Sequence, residues 1–431
     1  MHGKATQLQK LFSNKKYSEI ISIIDNEIDN KDLNSGLLNL SGVCKLLLGN
    51  SKVNLRDSIQ DFRKAYLKEK TSINALEALK NFINASMDLF DIEFKSDDNL
   101  VNEKILDEIL VYFEENKFFF ENNEDYCKAI IRVFKRRLDI DSVIYYLNLF
   151  SNKNNPDTTS SLIYFNCFKK DWKQEDFFKI SKKLEEQFIT YPGTKLVDIK
   201  INKKKKINIA FFSADIRDSH SVTYFLKTLL SNYDKEKFNI LLISNNKIED
   251  KTFDFFKKLV DKTINIFEKN DIEAINIIRG YEIDIIFDLM GVTSDHRLGL
   301  FKNRLAPVQI SWCGYCNTTG LNQMDFIIAD PNLVYKKEMN LYSEKIVFLP
   351  NIWNCHSGFN FKRIENPPPY LKNKYITFGS FNNFRKINDD VVSVWSEILR
   401  KIQNSKLILK ASDSASTKML LNKFKQHGVC D

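Results

Sequence analysis

The hydrophobic period of this chain changes near residue 206, and that change constrains the fold more than any other feature. From there onward short, continuous apolar runs recur: "INIAFF", "FNILLIS", "TINIF", "IDIIFDL", "VQISW", "FIIAD" and "KIVFLP". Helical stretches such as "VTYFLKTLLSNY", "DFFKKLV" and "IEAINIIRG" lie between several of them. A strand covered on both faces is apolar throughout rather than alternating. Strand–helix alternation in turn supplies the crossovers that parallel strands require. Residues 205–355 therefore read as an α/β domain with a parallel sheet. After "NPPPYLKN" the pattern restarts with "YITFGSF", a helix at "DDVVSVWSEILRKI", the strand "KLILK" and a helix at "TKMLLNKFKQ". Residues 371–431 thus read as the start of a second such domain.

The first 200 residues carry a different signal. Apolar residues recur at spacings of three and four in "YSEIISIIDNEI", "SIQDFRKAYL", "ALEALKNFINASMDLF" and "EKILDEILVYF". Short polar breaks separate them, so residues 1–200 are expected to form an array of helical hairpins. One stretch, "LLNLSGVCKLLLGNSKVNLRDSIQDFRKAYLKEK", resembles a tetratricopeptide repeat. Gly42 and Gly49 are seven apart, and Phe62 and Ala65 reach the packing positions if "KVNL" is an insertion. Ser58 stands where alanine is usual, and no proline closes the repeat; a generic helical domain is the alternative. Either suits a binding surface better than a catalytic one.

Composition removes several classes. The formal charge of +8 comes from 64 basic against 56 acidic residues, a mixed surface rather than a nucleic-acid stripe. The lysine run Lys203–Lys206 reads as a solvated linker edge. The start, "MHGKATQLQKLFSNKK", has no apolar signal core, and no apolar run approaches the roughly 18 residues of a membrane span. Seven scattered cysteines read as reduced thiols, so the expected setting is cytoplasmic. Cys313 and Cys316 form a CxxC, but no second ligand pair follows at a sensible spacing, and no metal is expected.

The usual phosphate-binding glycine signatures and His-Glu-x-x-His are absent. Five histidines occur, and His220 in "SADIRDSHSVTYFL" follows the first strand and opens a helix. Ligands of open α/β sheets bind beyond the carboxyl ends of strands, which favours His220 as a ligand-facing group; simple helix capping is the alternative. In "RLAPVQISWCGYCNTTGLNQMDFIIAD" a buried strand exits into small and hydroxylated residues that let a polyol approach the backbone. In "GSFNNFRKINDD" a lysine, Lys386, stands one turn before a helix whose start already carries partial positive charge. A cation beside that helix start makes sense if an anion sits between them.

Taken together, "FFSADIRDSHSVTYFL", "IDIIFDLMGVT", "APVQISWCGYCNTTGLNQMDFIIAD", "YSEKIVFLP" and "GSFNNFRKINDDVVSVWSEILRKIQNSKLILK" resemble the catalytic region of the protein O-GlcNAc transferase and SPINDLY family. The resemblance covers residues 205–428, and the first 200 in architecture only. It implies a GT-B fold: an α-helical repeat-like array, then a Rossmann-like domain and the start of a second one. It implies inverting transfer of a sugar from a UDP-sugar, UDP-GlcNAc above all, to Ser/Thr of protein acceptors bound by the array. Neither a cofactor nor a metal is implied. By the same resemblance His220 and Lys386 are the catalytic residues, and Lys386 holds the donor diphosphate. Asn383, Gly314, Asn317, Thr318 and Thr319 complete the expected donor-binding set.

The chain also departs from the family pattern. Cys316 and Asn317 replace a Pro-Gly pair and would reshape the sugar pocket. Met290 and Val292 stand where related chains carry Ser and His, and loss of a polar contact is expected there. The chain stops at "QHGVCD", before the family's later His-Thr-Thr-Gly segment. The terminal segment is accordingly expected to dock on residues 205–355 or stay loose, and this 431-residue form to show weak donor binding and no measurable transfer. Two rival readings are a non-catalytic helical scaffold with a degenerate transferase half, and a transferase acting on a glycan or on Asn.

Overall fold

The computed structural model describes residues 2–26, 28, 32–49, 51–93, 99–151, 154–192, 206–359, 366–410 and 414–429. Apart from Lys206, the lysine run lies outside them. The chain divides into two compact units, Met1–Leu149 with Asn366–Asp431, and Phe150–Glu365.

Among the described residues the first unit opens with nine helices: α1 (His2–Ser13), α2 (Tyr17–Asn26), α3 (Ser35–Leu47), α4 (Lys52–Lys68), α5 (Ile73–Glu93), α6 (Asn99–Glu115), α7 (Lys117–Glu121), α8 (Glu124–Arg137) and α9 (Ile140–Leu149). Their ends follow the chemistry of helix termini. In α8, Asn123 caps the start by accepting from the Asp125 amide. Acidic Glu124 and Asp125 occupy its first turn and basic Lys135, Arg136 and Arg137 its last, as the helix dipole favours. Residues Lys52–Leu55 form the first turn of α4, capped by Ser51, and Leu55 is fully buried.

Helices α3 and α4 cross at Gly42. A Cβ there would lie 2.5 Å from the Phe62 ring, which is itself fully buried. Gly42→Ala should therefore force the ring out of place and cost about 1–3 kcal/mol. A melting temperature unchanged from the parent chain would show that the helices do not need this close approach.

The same unit ends with α16 (Pro369–Asn373), β8 (Thr377–Ser380), α17 (Asp389–Lys401), β9 (Lys406–Leu409) and α18 (Ser414–Gln426). Strands β8 and β9 pair in parallel. Phe384, Ile387, Val392, Leu420 and Phe424 form their core, and Leu138 from the array packs against it. The segment thus groups with residues 1–149, whereas the sequence pointed to docking on residues 205–355 or to a loose segment. Both strands alternate between exposed and half-buried residues, and Ile376 and Ile408 stay open to solvent. Two strands offer too little sheet for apolar cover on both faces.

The second unit begins with α10 (Pro156–Asn166) and α11 (Gln174–Gln187). Seven strands follow: β1 (Ile207–Ser213), β2 (Phe238–Ser244), β3 (Lys262–Asn265), β4 (Ile285–Asp288), β5 (Val308–Ser311), β6 (Phe326–Ala329) and β7 (Lys345–Phe348). Helices α12 (Ser221–Asn232), α13 (Lys251–Lys257), α14 (Asp271–Arg279) and α15 (Leu298–Phe301) connect them. All pairings are parallel, in the order β3-β2-β1-β4-β5-β6-β7. Alternate strand residues feed two cores. Ala210, Phe212, Leu241 and Ile243 join one, while Phe211, Ile240 and Leu242 join the other. That is why these strands read as unbroken apolar runs. Helices α10 and α11 supply Ile163, Phe177 and Leu184 to the first core. The strand order reverses between β1 and β4, which opens a crevice at their carboxyl ends.

Candidate functional site

Three loops meet at that crevice. The loop after β1 turns back on itself when the Asp215 amide donates to Ser213 Oγ at 2.9 Å. It ends at His220, the N-cap residue of α12, whose side chain makes no capping bond. Instead, His220 Nε2 lies 3.4 Å from Asp215 Oδ1, and Arg217 Nη2 lies at the same distance from that oxygen. His220 Nδ1 is buried and has no partner among the described residues. Burial pulls the imidazole below its ordinary pKa, and the Asp215 carboxylate opposes this in part. Burial also raises the Asp215 carboxyl, against the pull of His220 and Arg217. The imidazole is therefore held by a carboxylate through Nε2, with Nδ1 enclosed by the protein.

The loop after β4 is tied to the first. Asp288 is wholly buried and accepts from the Met290 amide at 3.1 Å and the Gly291 amide at 2.8 Å. Burial pushes its carboxyl up to about 6. Met290 does not lose the expected polar contact. Its sulfur accepts from Ser213 Oγ at 3.4 Å and from the Ala214 amide at 3.2 Å, so a soft acceptor joins the two loops. Val292 simply fills the core.

His296, in the same loop, accepts from the Leu298 amide through Nδ1 at 3.2 Å. Burial pulls its pKa down to about 4, although the carboxylates of Asp157 and Asp295 work against this. The unfolded chain thus binds this proton first, near pH 6.5, so folding stability should fall as pH drops from 6.5 through 4. The loss should be on the order of 2 kcal/mol, discounted for partial exposure. His296→Asn keeps the acceptor and should flatten that acid limb in urea titrations; an unchanged limb would place the loss elsewhere.

The loop after β5 carries most of the sequence-predicted donor set. Cys313 has φ +78°, a strained value for a side-chain-bearing residue. A Cβ on Gly314 would lie 1.7 Å from the Leu289 carbonyl oxygen. No rotamer relieves a clash with backbone, so Gly314→Ala should cost about 3 kcal/mol or more. A chain that melts within a degree of the parent would contradict this packing. Asn317 Oδ1 accepts from the Thr318 amide at 2.7 Å and from Gln174 Nε2 on α11 at 2.6 Å. Thr318 and Thr319 are buried, and both hydroxyls donate to the carboxylate of Glu344. Of the CxxC pair, Cys313 is buried and Cys316 exposed. Among the described residues no group of three or more His, Cys, Asp or Glu is placed to hold a metal.

The remaining two candidates lie in the other unit. A 3-10 turn over Phe384–Lys386 follows β8, and the Asn383 side chain caps it by accepting from the Arg385 amide at 3.0 Å. Lys386 is exposed. Asn388 caps α17 through the Val391 amide, and Asp389 turns to Lys423 at 2.8 Å, away from the helix start. Arg385 is half-buried and acts on Lys135 of α8, whose pKa is lowered mainly by burial and further by that guanidinium. Two neighbouring cations are thus split, one inward and one to solvent. Asp215, Glu344 and Gln174 are the site residues that sequence reasoning did not single out. Asp215 and Glu344 sit inside quoted motifs, but only the fold brings them to their partners.

The helices followed by a seven-stranded parallel sheet form a helical array and a Rossmann-like domain of the GT-B type. Residues 184–359 match the model of glycosyl transferase family 41. The chain is 33% identical over 215 residues to the probable UDP-N-acetylglucosamine–peptide N-acetylglucosaminyltransferase SPINDLY of Arabidopsis thaliana, across 48% of this chain and 23% of that one. It is 32% identical over 232 residues to the SPINDLY protein of Oryza sativa, across 53% of this chain and 24% of that one. The chain thus spans about a quarter of the length of these relatives. An O-GlcNAc transferase mutant from Thermobaculum terrenum superposes with a TM-score of 0.70 at 19% identity, over 92% of this chain and 74% of that one. That likeness shows a shared fold.

Proposed function

We propose that the protein is a glycosyltransferase that moves a sugar from a UDP-sugar donor, UDP-GlcNAc by the names of its relatives, to Ser or Thr hydroxyls of protein acceptors. The reading rests above all on the Asp215–His220 pair, which holds an imidazole at the sheet's switch point within the family-matched region. In this scheme the acceptor oxygen attacks the anomeric carbon from the face opposite the leaving group. The bond from that carbon to the diphosphate oxygen breaks, and its electron pair leaves with UDP. His220 takes the hydroxyl proton, and Asp215 holds the imidazolium that results. Lys386 and the amides opening α17 meet the charge that grows on the diphosphate.

Of the rest of the expected donor set, Gly314 and Asn317 would face the sugar and Asn383 would support the lysine turn. Thr318 and Thr319, expected to bind the donor, are buried with both hydroxyls on Glu344 and would shape the loop behind the sugar instead. The helical array of residues 1–200 would present acceptor proteins to the α/β domain of 205–355 and the second element of 371–431, in the cytoplasm. No helix of the described residues is long and apolar enough to cross a membrane. The test is to incubate a transfer-competent form of the protein with UDP-GlcNAc and a protein extract and map modified residues by mass spectrometry. Mass added to Ser or Thr supports the reading. Mass on Asn or on a glycan would replace the acceptor, and donor binding without any transfer would favour a scaffold.

A further inference from the structure

Glu344 is a fully buried carboxylate just ahead of β7, and no cation among the described residues offsets its charge. Such a group is costly to bury unless every lone pair is used. Here the partners all come from one loop. Thr318 Oγ1 donates to Oε2 at 2.8 Å, while Oε1 accepts from the Thr319 amide at 2.7 Å and from the Thr319 hydroxyl. The Thr318 hydroxyl cannot reverse this arrangement. Thr318 Oγ1 already accepts from the Gly320 and Ser343 amides, both at 3.2 Å, so its lone pairs are taken and its proton must find an acceptor. Thr319 Oγ1 likewise accepts from the Leu321 amide at 3.3 Å.

The loop is gripped from a second side by α11. Lys182 Nζ donates to the Gly320 carbonyl at 2.8 Å, and Gln174 reaches Asn317. With Thr318, Thr319 and Gly320 buried, the edge left accessible runs through Gly314, Cys316 and Asn317. That edge begins at the strained Cys313, a conformation that persists only when surrounding bonds over-determine it.

We propose that Glu344 is a positioning residue of the donor site, whose carboxylate fixes the loop after β5 so that the Gly314–Asn317 edge is preset for the sugar end of a nucleotide-sugar. This rests on the transferase reading above. A glutamine is not a conservative replacement: its amide nitrogen would face either a hydroxyl oxygen with no lone pair to spare or an amide N–H. The Glu344→Gln chain should therefore let the loop move, while the sheet, whose strands it does not touch through this group, stays folded.

The test uses the full 431-residue chain with Glu344→Gln, Thr318→Val and Thr318→Ser variants. UDP and UDP-GlcNAc are titrated into each, with amide hydrogen exchange of residues 316–322 and melting temperature measured in parallel. Glu344→Gln and Thr318→Val should weaken UDP-GlcNAc at least tenfold, leave UDP within twofold, and speed exchange of the Thr319 and Gly320 amides at least tenfold. Thr318→Ser, which keeps the hydroxyl, should recover most of the UDP-GlcNAc affinity that Thr318→Val loses. UDP-GlcNAc binding within twofold of the parent in both disruptive variants overturns the proposal. So does an equal loss of both ligands with a matching fall in melting temperature, which would mark a general structural role. A parent chain that binds neither nucleotide overturns the transferase reading first, and the positioning role with it.

Discussion

Replacing Lys386 with alanine is expected to cut sugar transfer by about 10²–10³-fold in a transfer-competent form of the protein. Acceptor binding should change little. The ammonium is exposed and lies one turn ahead of α17, where Asn388 and the helix amides already favour an anion. In the ground state the donor diphosphate shares its charge with the sugar bond; as that bond breaks the charge increases. A fixed cation is worth more to the second state than to the first, so its loss falls on turnover more than on binding. Lys386→Arg keeps the charge but changes its shape and reach, and should recover only part of the rate. The measurement is kcat and KM for donor and acceptor separately. A Lys386→Ala enzyme with near-normal kcat would remove this lysine from the diphosphate.

Replacing His220 should have an effect of similar size and a different signature. General-base catalysis contributes typically 10²–10⁴-fold, so His220→Ala should lose about that much transfer. The parent enzyme should also show an acid limb in kcat/KM. Burial lowers the imidazole pKa, so the midpoint should lie below the ordinary 6.5, with activity falling as pH falls and the lone pair is protonated. Asp215→Asn should shift that limb to lower pH, because the carboxylate that favours the imidazolium is gone. A flat profile from pH 5 to 8, or a His220→Ala enzyme with parental turnover, would assign the proton to another group.

Much of this architecture was legible because the code for it is local. The seven apolar runs each became a strand, and the central ones show why: both faces are covered, so successive residues such as Phe211 and Phe212 enter opposite cores. The place of His220 after the first strand and ahead of a helix was legible, but not its partner Asp215. What the sequence hid depends on partners far along the chain. Met290 looked like a lost polar contact until the fold laid its sulfur against the Ala214 amide, 76 residues away. Glu344 looked like one acidic residue before a strand. Its meaning lies in two hydroxyls 25 and 26 residues earlier. Arg385 and Lys386 are neighbours of one charge type, and only the tertiary packing turned one toward α8 and the other to solvent.

The grip of α11 on the loop after β5 bears on how such a chain can be cut and rejoined. By periodicity α11 is one more helix of the array, yet Gln174 and Lys182 reach the loop that follows β5, and Phe177 and Leu184 enter the sheet's own core. A gene fusion or recombination event that breaks the chain between residues 188 and 206 would deliver the whole sheet without this clasp. The resulting protein could fold its strands and still carry a slack donor loop. The movable unit of this protein therefore begins upstream of Pro156, not at its first strand, and the helices ahead of that point can be exchanged without disturbing the loop's bonds.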